Sequence, residues 1–148
     1  MIIKRQYDKI QTIIDQIKSK QLVLISAKDE AINAISPQFR NDFDNAFGAN
    51  LRNLGFRQSY IAVFHNGKLV NESIGANNLV EYWGQFYDLN FYVKSAGASQ
   101  GNESNIKINN IEFSPNNRGL NVVSLEEASP GKFIFNSFNF DTYEKSYQ

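Results

Sequence analysis

The division of the chain between two periodicities limits the fold more than any other feature. From Leu89 onward it is a succession of short β-rich runs cut by turn residues: Asn90 to Ser95, Asn105 to Asn109, Ile111 to Phe113, Leu120 to Leu125, and Phe133 to Phe140. Helical spacing is confined to the first half. Helices gathered at one end and strands at the other mark an α+β chain with mainly antiparallel sheets, not alternating βαβ units.

Tyr7, Ile10, Ile13, Ile14 and Ile17 recur at helical spacing among Lys, Gln and Asp, which predicts an amphipathic helix covering one face of a core. Gln21 to Ser26 is a continuous apolar run, the pattern of a strand buried on both faces, and it opens into the polar loop Ala27-Lys28-Asp29-Glu30. Two short helices are expected next, from about Asp29 to Ile35 and from Pro37 to Phe47. Ser36 caps the second, Phe39, Phe43 and Phe47 share a stripe, and Gly48 ends it. Tyr60 to Phe64 reads as a strand, and Asn66-Gly67 favours a tight hairpin into Leu69 to Glu72. Leu79 to Phe86, which holds Trp83, fits either a helical turn or extended chain. The expectation is about three helices flanking the sheets in one domain spanning residues 1–148.

Chemistry is constrained mainly by what is missing. Fifteen basic and fifteen acidic side chains leave no broad cationic field, so nucleic acid is not an expected partner. With no cysteine and only His65, the chain offers no disulfide, no thiolate and no nitrogen-rich metal cluster, so neither metal nor cofactor is expected. The start, Met1 to Gln6, turns polar at once, and no run approaches a membrane span; no signal peptide and no membrane insertion are expected, and the chain reads as cytoplasmic when made. A virion component or a piece of a longer surface protein would read the same.

No phosphate loop, nucleophile elbow, zincin pair or dinucleotide fingerprint is present, and Gly97 to Gly101 does not lead into a helix, so it reads as a turn. His65 sits beside the Asn66-Gly67 turn, where exposure is the simple explanation. The acid pairs Asp42 with Asp44 and Glu126 with Glu127 read as solvated surface. No catalytic residue is assigned, and the chain is not expected to be an enzyme. Of twelve Phe, seven Tyr and one Trp, most must be core; Tyr82, Trp83, Tyr143 and Tyr147 are the expected exposed rings. Phe133 and Phe135 differ in parity from Phe138 and Phe140, which predicts a bulge at Ser137.

Three stretches carry a resemblance. Tyr92 to Gly97, Ile106 to Asn109 and Asn117-Arg118-Gly119-Leu120-Asn121-Val122-Val123 resemble the opening strands of the interleukin-like EMT inducer (ILEI) domain family, with its R-G-x-N-V-V element. Phe140-Asp141-Thr142-Tyr143 is similar to the family's F-D-T strand ending. Leu54-Gly55-Phe56-Arg57-Gln58-Ser59-Tyr60 is similar to its L-G-F-R segment, with Leu22 to Ile25 and Asp29 in the place of its strand and acidic loop. The L-G-F-R half comes first here, the reverse of the family's order. That order fits a circular permutation, or alternatively a stretch spanning two tandem domains and completed by strand exchange.

The resemblance implies a sheet-based domain with flanking helices and no enzymatic activity. A related fold forms the stem domain of an O-mannose N-acetylglucosaminyltransferase, which holds a terminal sugar with arginine and aspartate. By similarity, Arg118, Asp29 and Arg57 are the matching positions, with Asn121 and Lys28 lining the same site. The alternative is that Arg118 and Asp29 pair with each other and brace the fold. The resulting expectation is a lectin-like module for a glycan or host surface receptor, within a phage tail or bacterial surface protein. The alternative is an assembly domain whose strand edges pair with other chains.

Overall fold

The β-rich runs form strands and the helical spacing forms helices in the computed structural model, which describes residues 2–32 and 35–141. Within these residues the order is α1 (Ile2–Ser19), β1 (Leu22–Lys28), α2 (Pro37–Phe47), a 3-10 turn (Leu51–Asn53), β2 (Ser59–His65), β3 (Lys68–Gly75), β4 (Val80–Phe86), β5 (Leu89–Ala96), β6 (Glu103–Ile108), β7 (Ile111–Glu112), β8 (Gly119–Ser129) and β9 (Lys132–Phe140). One sheet runs β3-β2-β1-β8-β9 and the other β4-β5-β6-β7. Every ladder is antiparallel. The undecided Leu79 to Phe86 segment is strand β4.

The continuous apolar run of β1 follows from its place at the centre of the larger sheet, covered on both faces. Val23, Ile25 and Ala27 pack against Ile13 and Ile17 of α1 and Phe39 and Phe43 of α2. Leu22 and Leu24 face the smaller sheet, meeting Val93, Ile106 and Ile108. The layers are therefore helices, five-stranded sheet, four-stranded sheet. No helix among the described residues is long and apolar enough to cross a membrane.

Helix α2 starts and stops where its sequence predicts: Ser36 Oγ accepts the Phe39 N–H, and Gly48 closes the end in the left-handed region. No helix is seen in the described part of Asp29 to Ile35; Asn33 and Ala34 lie outside the described residues. Asp29 takes φ 61° and bridges to Gly97. The Glu30 carboxylate accepts the Ile32 N–H at 2.8 Å, a side-chain bond that competes with helix formation. Instead of about three helices there are two α-helices and one 3-10 turn among the described residues.

Positive φ at Asn66 and Gly67 makes the expected tight hairpin, and Asn109-Asn110 makes another between β6 and β7. No bulge occurs at Ser137, which pairs in register with Val123; the ladder shifts only near the turn, between Glu127 and Ser129. Parity changes along β9 because its faces are covered at different places. Phe138 and Phe140 face the helices, Phe133 packs in the core between the sheets, and Phe135 stacks on Phe113 with centroids 4.8 Å apart. The side chains of Tyr7 and Ile10, together with Thr142, Tyr143 and Tyr147, lie outside the described residues.

At one end the sheets are locked together by serine hydroxyls. The β1–β2 ladder stops at Ser26 and Ile61, and the groups that would continue it, Ala27 C=O and Tyr60 N–H, take the Ser95 hydroxyl of β5 between them. Beside it, the Gly97 N–H donates to Ser59 Oγ at 2.9 Å. The end of β5 is thus wedged between β1 and β2. Only glycine fits at 97, because a Cβ there would lie 2.3 Å from the Arg57 carbonyl oxygen.

Candidate functional site

This locked end carries all five residues singled out in the sequence. The wedge of β5 holds Asp29 and Arg57 on either side of Gly97, each at φ 61°. Arg57 is exposed, its guanidinium 4.8 Å from the ring of its neighbour Phe56. Arg118 meets Asp141 in a two-pronged pair, Nε to Oδ1 at 2.9 Å and Nη2 to Oδ2 at 2.8 Å. That bond ties the start of β8 to the end of β9, so the bracing partner of Arg118 is Asp141 rather than Asp29.

Asn121 does not line a surface. It is fully buried, its amide donating to Ser26 O and Asn117 O while its oxygen accepts from Asn117 N–H and Asn139 Nδ2. Burial and this internal bonding remove it from any ligand-facing role. Lys28 donates to Asn116 O at 3.0 Å and pins the loop before β8. Asp44, expected on the solvated surface, is instead buried and accepts from Leu51 N–H, Arg52 N–H and Arg52 Nε, while Glu127 accepts from Gly131 N–H. No group of His, Cys, Asp and Glu among the described residues is placed to hold a metal.

A second arrangement lies on the outer face of the four-stranded sheet. Alternation along β4 sends Tyr82 inward toward Phe91, centroids 6.1 Å apart, and Trp83 outward, 65% exposed. Cross-strand pairing then sets Trp83 beside Tyr92 and Tyr92 beside Lys107, a row across three strands. The Trp83 and Tyr92 rings are 5.0 Å apart. Asn90, Asn109 and Asn110 rise beside this row, and together they line a cleft of about 330 Å³. Gly84 lets β4 approach so closely, since a Cβ there would lie 2.4 Å from the Phe91 ring.

The acids of this face each have partners of their own, one of them in the row itself. Glu81 accepts the Tyr92 hydroxyl at 2.6 Å; burial first, and then this bond, raise that hydroxyl's pKa above the ordinary tyrosine range. Glu103 pairs with Lys94 at 2.6 Å, and the bond and charge of Lys94 lower its carboxyl pKa. Glu112 accepts from Asn105 Nδ2, Ile106 N–H and Ser114 N–H. Lys107, half-buried, is in none of the ion pairs among the described residues.

A third feature is a cleft of about 510 Å³ at the other end, between Leu22 and Val63 of one sheet and Tyr82, Phe86 and Phe91 of the other. His65 stands there, exposed at its hairpin, edge-on to Phe86 at 5.6 Å.

Sequence reasoning named Trp83 as exposed but did not assemble its row. The signal was period-2 alternation in Glu81-Tyr82-Trp83-Gly84-Gln85-Phe86, repeated by Asn90, Tyr92 and Lys94 and by Asn105 and Lys107. Pairing register was needed to place these residues side by side.

Residues 3–68 match the family model of the interleukin-like EMT inducer. No curated protein and no solved structure matches the chain. The matched stretch contains Asp29 and the L-G-F-R segment and runs from α1 through β1, α2 and β2. The match over residues 3–68 supports the interleukin-like EMT inducer (ILEI) family for that part of the chain.

Proposed function

We propose that this domain is a non-catalytic binding module that holds a carbohydrate on the outer face of its four-stranded sheet. The observation that carries the reading is Trp83, an exposed ring seated on Tyr92 in a cleft lined by three asparagine amides. An aromatic face covers the C–H face of a pyranose, and carboxamides donate to and accept from its hydroxyls. The cleft, about 330 Å³, lies in the range of small-molecule sites, about 300–1,000 Å³. At the locked end Arg118, Asn121 and Lys28 hold the chain itself, and in the cleft the Asn90 and Asn109 side-chain oxygens accept from Gln85 Nε2 and the Asn90 N–H.

A glycan-array screen of the wild type beside Trp83→Ala and Asp29→Ala, with folding checked by circular dichroism, tests this. Binding lost in Trp83→Ala alone is the expected result. Loss in Asp29→Ala alone moves the site to the locked end, and no binding by the wild type sinks the carbohydrate reading.

A circular permutation accounts for the motif order. Strands β9 and β1 both run antiparallel to β8, so they run parallel to each other. Thr12 of α1 shares a cleft with Phe138, Asn139 and Phe140 at the end of β9. Joined in the family's order, β9, α1 and β1 form a parallel crossover, and a linear family model would match only one half of the rearranged chain. A chain with Gln148 linked to Met1 and new ends opened between Gly75 and Val80 should fold with the same circular dichroism spectrum; failure to fold counts against the permutation.

Strand β9 favours a second reading. It is an edge of the five-stranded sheet, with Ile134 57% and Phe135 37% exposed, and such an edge can pair with another chain. Sedimentation showing association that Ile134→Lys abolishes would support assembly; a monomer at all concentrations would exclude self-assembly.

A further inference from the structure

Resting on the carbohydrate reading, we infer that the ligand is an anionic saccharide whose acidic group is taken by Lys107. The row Trp83, Tyr92, Lys107 crosses two strand spacings, roughly 10 Å at about 4.8 Å each. A sugar stacked on Trp83 therefore extends over Tyr92 and brings a substituent, or a second ring, to the ammonium group.

Charge decides what that substituent is. Among the described residues no acid lines the cleft, and Lys107 is its one cation. Glu112 stands opposite Lys107 in the β6–β7 ladder, but its carboxylate is committed to three N–H donors. Glu81 is held by the Tyr92 hydroxyl and Glu103 by Lys94. Both lie lower on the same face, one row beyond the Trp83 row or further. A neutral sugar over Lys107 would strip water from a half-buried ammonium and return only hydroxyl contacts. A carboxylate or sulfate returns a charge-assisted bond. Lysine, a compact point charge, is suited to either anion.

Trp83 is the only tryptophan, so its emission reports on this cleft without a label. The intact chain is titrated with an oligogalactoside, the corresponding oligogalacturonate and a sulfated oligogalactoside, at low and physiological salt. The acidic forms should half-saturate at concentrations roughly five- to tenfold below the neutral one, and the difference should shrink as salt rises. Lys107→Gln should abolish the difference between acidic and neutral forms, and Lys107→Arg should keep it. Comparing the two acidic arms separates a carboxylate ligand from a sulfate. Equal affinity for neutral and acidic sugars, or a preference that survives Lys107→Gln, overturns the inference and leaves the carbohydrate site standing. Emission unmoved by all three sugars overturns the carbohydrate reading as well.

Discussion

Ser95→Ala should cost about 2–4 kcal/mol of stability. Its hydroxyl is fully buried, accepts the Tyr60 N–H at 3.0 Å and donates to Ala27 O at 2.6 Å. These two backbone groups lie one step past the last β1–β2 pair, so neither reaches the other once the oxygen is gone. Each group left without a partner away from water costs about 1–3 kcal/mol, and local relaxation recovers part of the sum. In a domain of this size the change lowers the melting temperature by roughly 5–15 °C. Urea unfolding followed by far-ultraviolet circular dichroism measures it, with the exposed Ser99→Ala as a control expected within about 0.5 kcal/mol of wild type. A loss below about 1 kcal/mol for Ser95→Ala would refute the idea that this hydroxyl joins the sheets.

Gly97→Ala forces a methyl against the Arg57 carbonyl, a backbone atom that cannot swing away, and should cost roughly 2–3 kcal/mol; an unchanged melting temperature would contradict the wedge. The Tyr60 hydroxyl is held above its ordinary pKa of 10.0 by burial first and then by Glu72. An unfolded tyrosine loses its proton near pH 10 while the folded one keeps it, so stability should fall as pH rises above 10. Tyr60→Phe should flatten that alkaline limb in urea midpoints, leaving the part due to Tyr92; an equally steep limb would argue against it. Arg118→Ala removes a pair whose side chains are 40% and 31% exposed, so it should cost only about 0.5–1 kcal/mol in thermal unfolding and leave carbohydrate binding unchanged.

Sequence periodicity resolved the parts whose side chains answer to their own neighbours. Helix α2 is marked by Ser36, Pro37 and Gly48, the hairpin by Asn66-Gly67, and the doubly covered β1 by its unbroken apolar run. It missed contacts made across the fold. The expected turn of helix at Asp29 gave way to a bridge with Gly97, 68 residues away, and the parity of the β9 phenylalanines reflects which layer covers each face. For the site, motif similarity named Asp29, Arg57 and Arg118, which the structure places at one end of the sheets. It could not tell that Asp141 answers Arg118 or that Asn121 is internal, because both depend on where β9 lies beside β8. The serine lock left no trace in the pattern, since a buried serine on a strand reads like an exposed one.

Where a carbohydrate sits can be read directly from backbone amide and indole shifts in a nitrogen-15 NMR titration with the best glycan ligand. The Trp83 indole and the amides of Asn90, Tyr92, Lys107, Asn109 and Asn110 should shift together while those of Asp29, Arg57 and Gly97 stay in place. Shifts confined to Asp29, Arg57 and Gly97, with Trp83 unmoved, would contradict the sheet-face site.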